Sequence, residues 1–107
     1  MMSKQFGFLS LACALTVSMS QTAEPKTYKP KEGYVPDATT AIRVAEAIAI
    51  PIYGEKLIRS EEPFSATLTG GVWLVRGADL QPNESGGVAE VKISKSTGEI
   101  LGVIHGK

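Results

Sequence analysis

The sequence predicts an α+β domain, one N-terminal helix packed on an antiparallel sheet of about four strands. Three observations carry this. A stripe of apolar residues recurs with helical period between Ala41 and Ile52. Two later stretches, 64–76 and 88–105, alternate apolar and polar residues about glycine-bearing turns. The chain of 107 residues is too short for a second domain once its ends are set aside.

Residues 1–20 read as a secretory signal peptide: Lys4 supplies the positive start, Phe6 to Val17 the uncharged apolar run, and Ser18-Met19-Ser20 the small residues around a cut. About a dozen apolar residues fall short of the roughly 20 that cross a bilayer. The expected product is therefore periplasmic, with no integral membrane segment after leader cleavage. A rival reading makes Cys13 a lipid-modified N-terminus, on Leu11-Ala12-Cys13. Against it, Ser10 stands where a large aliphatic residue belongs, and the apolar run continues through Ala14, Leu15 and Val17. Residues 21–33, with Pro25, Pro30 and three lysines, read as a flexible linker to a single domain over 34–107.

The helix begins at Asp37, whose carboxylate suits an N-cap. Ala41, Val44, Ala45, Ile48 and Ile52 share one stripe, with Arg43 and Glu46 spaced to pair. Ile42, Ala49 and Ile50 make the helix apolar nearly all round, so it should be covered on more than one side. Pro51 removes an N–H and calls for a kink or an early end, and Gly54 is the terminator.

Phe64 to Thr69 and Val72 to Arg76 form the first hairpin about Gly70-Gly71. Thr69 then opposes Val72, Leu68 opposes Trp73 and Ala66 opposes Val75. A loop from Asp79 to Ser85 leads to the second hairpin, Val88 to Ser94 and Glu99 to His105. With Gly98 left-handed in a three-residue turn, Ile93 opposes Leu101, Val91 opposes Val103 and Ala89 opposes His105. The expected core includes Val44, Ile48, Phe64, Leu68, Trp73, Val91 and Val103, with Leu101 on the same side. The opposite sheet face holds Val72, Leu74, Ile100 and Ile104 among threonines, Arg76, Lys92 and Glu90. Apolar residues with such a rim compose a protein-binding patch. A second layer from the linker, or a homodimer, would cover the same face.

The chemistry excludes more than it offers. Lysine plus arginine equals aspartate plus glutamate at 11 each, and losing Lys4 with the leader puts the acids one ahead, so nucleic acid is not an expected partner. Past the leader there is no cysteine and one histidine, His105, too few ligands for a zinc site. No nucleophile elbow, phosphate loop or His-Glu-x-x-His occurs. We expect no cofactor, no metal and no catalytic set, with His105 a packed, hydrogen-bonded ring. Glu61-Glu62 diverge as neighbours and read as a charged cover for the sheet edge.

Gly33-Tyr-Val-Pro-Asp, Thr40-Ala-Ile-Arg-Val-Ala-Glu-Ala-Ile, Pro51-Ile-Tyr-Gly-Glu, Pro63-Phe, Gly71-Val-Trp-Leu-Val-Arg-Gly77, Gly86-Gly-Val-Ala-Glu-Val-Lys-Ile-Ser-Lys and Gly98-Glu-Ile-Leu, ending on His105-Gly-Lys, fall in a familiar order. Together they resemble a bacterial immunity-protein family with a nuclear-transport-factor-2-like fold, associated with polymorphic toxin systems. The resemblance implies a cystatin-like architecture in reduced form and a non-catalytic protein that binds a cognate secreted toxin. It carries over no residue-level binding motif. That fold usually has a cone of several helices, whereas one is evident here, and many relatives read as cytosolic. The alternative is a PepSY-like periplasmic binding or protease-inhibitory module, which shares the helix-then-strands order and a hairpin like Thr97 to Ile100. For the partner-binding surface the sequence offers Arg76 as anchor, with Leu74, Asp79, Lys92 and Ile104 around it. The exposed side of the helix near Arg43 and Glu46 is the other candidate.

Overall fold

The computed structural model describes residues 25–79 and 86–106. Residues 1–24, on which the signal-peptide reading, Cys13 and the start of the expected linker fall, most of the loop before Gly86, and Lys107 lie outside the described residues. Two helices, α1 (Ala38–Tyr53) and α2 (Glu55–Ser60), precede strands β1 (Ser65–Thr69), β2 (Val72–Arg76), β3 (Ala89–Ser94) and β4 (Ile100–His105). The strands form one antiparallel meander in the order β1-β2-β3-β4. Both ends of each hairpin are local in sequence, so the sheet needs no crossover.

Asp37 caps α1 as its position predicts, accepting the Thr40 N–H at 2.8 Å. Pro51 does not end the helix. It lies in the last turn, where the single lost hydrogen bond is tolerated, and Gly54 closes the turn by donating its N–H to the Ile50 carbonyl at 2.8 Å.

The buried face is rotated from the expected stripe: Ala41, Ala45 and Ala49 are fully buried, with Ile42, Val44, Ile50 and Tyr53 packed beside them. Ile48 is only partly buried and stands outside the core cluster, and Ile52 is 55% exposed. Alanine at every fourth position lets the helix axis come close to the sheet, and the larger side chains fill the margins. An all-round apolar helix does not announce which face that will be.

The short α2 was not legible from periodicity, because six residues contain only Leu57 and Ile58 as apolar positions. Ile58 is fully buried in the core. Arg59 fastens this turn to its surroundings, reaching Glu62 at 2.9 Å, Glu55 at 3.5 Å and Glu46 on α1 at 3.6 Å. Glu46 thus pairs with Arg59 rather than with Arg43.

The first hairpin has the expected register, Thr69 against Val72 and Leu68 against Trp73. Gly70 and Gly71 hold positive φ, +56° and +78°, which a two-residue hairpin turn of this hand requires of both positions. Leu68 faces the core side but is 43% exposed, because β1 is an edge strand and its neighbour covers one flank only. Phe64, Trp73 and Val91 are core residues as expected, and Val103 packs against them partly buried.

In the second hairpin Val91 opposes Val103 and Ala89 opposes His105, but Ile93 opposes Ile100. The turn holds four residues, 95–98, one more than expected, with the Ser94 N–H bonded to the Glu99 carbonyl at 2.9 Å. A bulge at Leu101 then restores the register between Lys92 and Gly102. The consequence is an exchange of faces: Ile100 packs against the core and Leu101 is 47% exposed.

At the turn end of the sheet, Tyr34 and Val35 donate backbone N–H groups to the Ser96 and Lys95 carbonyls, and Trp73 Nε1 donates to the Val35 carbonyl at 2.9 Å. Contacts reach back to Glu32, whose carbonyl accepts from Lys95 Nζ.

These burials predict a clear ranking in urea unfolding. Ile58→Ala should cost about 2–5 kcal/mol, and Ala45→Leu about 1–3 kcal/mol through overpacking. Leu68→Ala should fall below both. Equal losses from Leu68→Ala and Ile58→Ala would contradict the packing described.

Candidate protein-binding face

Helices α1 and α2 leave the second face of the sheet open. Val72 and Leu74 on β2, Lys92 on β3, and Leu101 with Thr69 border one open depression of about 380 Å³. Glu90, Lys92, Leu101, Gly102 and Ile104 border a second beside it. Lys92 and Leu101 are shared, so the two form a continuous surface. Leu101 and Ile104 are 47% and 59% exposed. The bulge thereby replaces the expected Ile100 with Leu101 and keeps four aliphatic side chains on this face. Gly102, a glycine inside a strand pattern, was the sequence sign of that bulge.

All five residues put forward from the sequence meet on this side. Leu74 stands opposite Lys92, and Arg76 opposite Glu90, which in turn stands opposite Ile104. Asp79 joins through Arg76, whose Nη1 reaches Asp79 Oδ1 at 2.8 Å while its Nε reaches Glu90 Oε2 at 3.3 Å. The Asp79 hydrogen bond first, and the Glu90 bond second, push the Arg76 pKa above the ordinary arginine value. Arg76 is thus bracketed by two acids, whereas no carboxylate among the described residues lies within 4.0 Å of the exposed Lys92.

Beneath the Arg76 end, on the helix side, sits a pair that sequence reasoning placed wrongly in one half. Glu61 is buried, 6% exposed, rather than a charged cover; Glu62 beside it is exposed. The turn after α2 aims the Glu61 side chain under the sheet. Its Oε1 accepts the Ala89 N–H at 2.8 Å and its Oε2 meets His105 Nε2 at 2.7 Å. Its own carbonyl accepts the Ala78 N–H at 2.8 Å.

Gly77 makes room for this. A Cβ there would stand 2.9 Å from the Glu61 side chain, closer than packed carbon atoms allow. His105 is the packed, hydrogen-bonded ring expected, with Nδ1 2.8 Å from the Gly106 carbonyl and its ring 5.2 Å from that of Tyr53. Nothing in the adjacent pair Glu61-Glu62 marked which carboxylate would turn inward. Among the described residues no group of three or more metal-ligating side chains comes together, and no helix is long and apolar enough to cross a membrane.

A two-helix layer on one face of a four-stranded antiparallel meander, with an apolar, charge-rimmed second face, is an α+β fold of the nuclear-transport-factor-2-like class. Residues 40–107 match the family described as NTF2 fold immunity protein, and the chain belongs to that family. It is also similar to "Uncharacterized protein YbbC" of Escherichia coli (strain K12), 36% identical over 69 residues. That similarity covers 64% of this chain and 57% of the relative, so the chain spans little more than half the length of the protein it matches. No solved structure matches the chain at a significant level.

The pair makes stability depend on pH with a definite sign. The Glu61 hydrogen bond, and after it the Gly106 carbonyl, raises the His105 pKa above its ordinary 6.5. A group whose folded pKa is raised contributes fully below its unfolded pKa and loses that contribution as pH rises through the folded value. Urea midpoints should therefore fall as pH climbs above 6.5 in the wild type, and stay flat across that window in His105→Gln. Glu61→Ala should cost on the order of 1–3 kcal/mol by orphaning the buried Ala89 N–H. A wild-type midpoint independent of pH there would contradict the pairing.

Proposed function

We propose that this protein is an immunity protein that binds a cognate secreted toxin in the periplasm and neutralises it by stoichiometric occlusion. Membership of the immunity family is the observation that carries the reading, and it favours toxin binding over a PepSY-like inhibitory module. The open sheet face supports it: blocking a toxin needs a complementary surface with a few well-packed anchors rather than turnover. Leu74, Leu101 and Ile104 supply apolar contact area, and Lys92 offers a cation that no described carboxylate pairs with. Arg76 is the anchor best suited to a toxin carboxylate, because its planar fork pairs bidentately and is weakly hydrated. The leader reading sets the compartment, so the toxin's target would be peptidoglycan, envelope lipid or the inner membrane.

Periplasmic co-expression with the toxin encoded in the gene's neighbourhood tests this by growth rescue. Wild type should protect. Leu74→Arg combined with Lys92→Glu should remain folded and lose protection by tenfold or more in survival. Protection that persists in that double variant would move the interface to another surface, with α1 around Arg43 the next to examine.

A further inference from the structure

Arg76 and the Glu61–His105 pair lie on opposite faces of the same strand ends, and backbone hydrogen bonds join them. Ala78, which donates to the Glu61 carbonyl at 2.8 Å, immediately precedes Asp79. Ala89, which donates to Glu61 Oε1 at 2.8 Å, immediately precedes Glu90. Gly77 ties the two stretches together, its N–H donating to the Ala89 carbonyl at 3.0 Å. Asp79 and Glu90 are the two acids that hold Arg76. One residue, Glu61, therefore fixes both stretches of chain that mask the guanidinium.

His105 needs two protons to make its two contacts. The Gly106 carbonyl can only accept, so Nδ1 must donate to it, and Nε2 must donate to the Glu61 carboxylate. A neutral ring satisfies one contact and sets a lone pair against an oxygen at the other. Among the described residues, Glu61 at the end of α2 and Tyr53 on α1 are the titratable groups against the ring, while β3 presents Ala89 and its own charges, Glu90 and Lys92, lie on the open face. Among the described residues no second cation takes the place of the protonated ring.

We propose that the protonation state of His105 regulates the binding face. The protonated ring holds Glu61 in place and keeps Arg76 masked between Asp79 and Glu90. Loss of the proton removes the positive charge facing the Glu61 carboxylate, whichever nitrogen keeps its hydrogen; this loosens Glu61 and the chain at Ala78 and Ala89, and frees Arg76 for a carboxylate of the partner. The regulatory role rests on the open face being the toxin-binding surface, but the switch itself is measurable without a partner.

Amide exchange by NMR on the intact chain, from pH 6 to pH 8, with the His105 ring followed in the same samples, is the test. After correction for intrinsic base catalysis, protection at Ala78 and Ala89 should fall at least tenfold along the ring's titration. Exchange of the Arg76 Nε–H should accelerate with the same midpoint, while Val75 and Val91 in the core keep their protection. His105→Gln, which retains one donor and does not titrate, should show no such pH step. Unchanged wild-type protection through the ring's titration would overturn the proposal, as would an equal fall in His105→Gln. A toxin that contacts another surface while the exchange step is present would overturn the functional reading of the face and leave the switch standing.

Discussion

One buried carboxylate sets the geometry of half the molecule. Glu61 is the charged side chain that the described residues bury, and a buried carboxylate persists only where every oxygen finds a partner. Its partners are distributed with that effect: the backbone at the start of β3, the ring at the end of β4, and, through its own carbonyl, the chain just beyond β2. The end of α2 and the ends of three strands are thereby fixed to one residue. At the opposite end of the sheet the same task falls to Trp73, whose indole N–H holds Val35 and with it the segment that enters α1. Between these two fastenings lies a core of alanines, valines and isoleucines packed thinly enough for a 16-residue helix to lie close against the strands.

Much of this was legible in the sequence where local chemistry decides local structure. Asp37 and Gly54 bound α1, Gly70-Gly71 fixed the first hairpin to the residue, and alternation placed Trp73 and Val91 inside. The misses share a cause: each depended on something distant. Which stripe of α1 faces the sheet follows from how closely the sheet can approach, and alanine wins over isoleucine at Ala45 and Ala49 for that reason. The exchange of Ile100 and Leu101 followed from one residue of turn length and a bulge. Glu61 looked like its neighbour Glu62 because burial of a carboxylate is decided by the ring that arrives forty-four positions later. Four surface residues named from strand phase, Leu74, Arg76, Lys92 and Ile104, lie on one face, since phase along a strand survives small errors of register elsewhere, and the loop residue Asp79 joins them through Arg76.

The open face has a division of labour that bears on recognition. Its aliphatic residues form one connected surface, and Lys92 and Arg76 differ in kind: among the described residues Lys92 has no carboxylate within 4.0 Å, while Arg76 is held by Asp79 and Glu90. On the proposed reading, a partner would meet Lys92 and the apolar surface directly and would have to compete with two carboxylates for Arg76. Such competition favours specificity over raw affinity, because a partner lacking the right anion leaves the internal pairs intact.

The central claim is that a toxin is bound on the sheet rather than on the helices. The most direct measurement is methyl NMR of the protein with one equivalent of its cognate toxin. The account predicts shifts or broadening at the methyl groups of Leu74, Leu101 and Ile104 that saturate at one to one, while the exposed methyls of Ile52 and Leu57 stay unmoved. Perturbation confined to Ile52 and Leu57, with the sheet methyls unchanged, would contradict it.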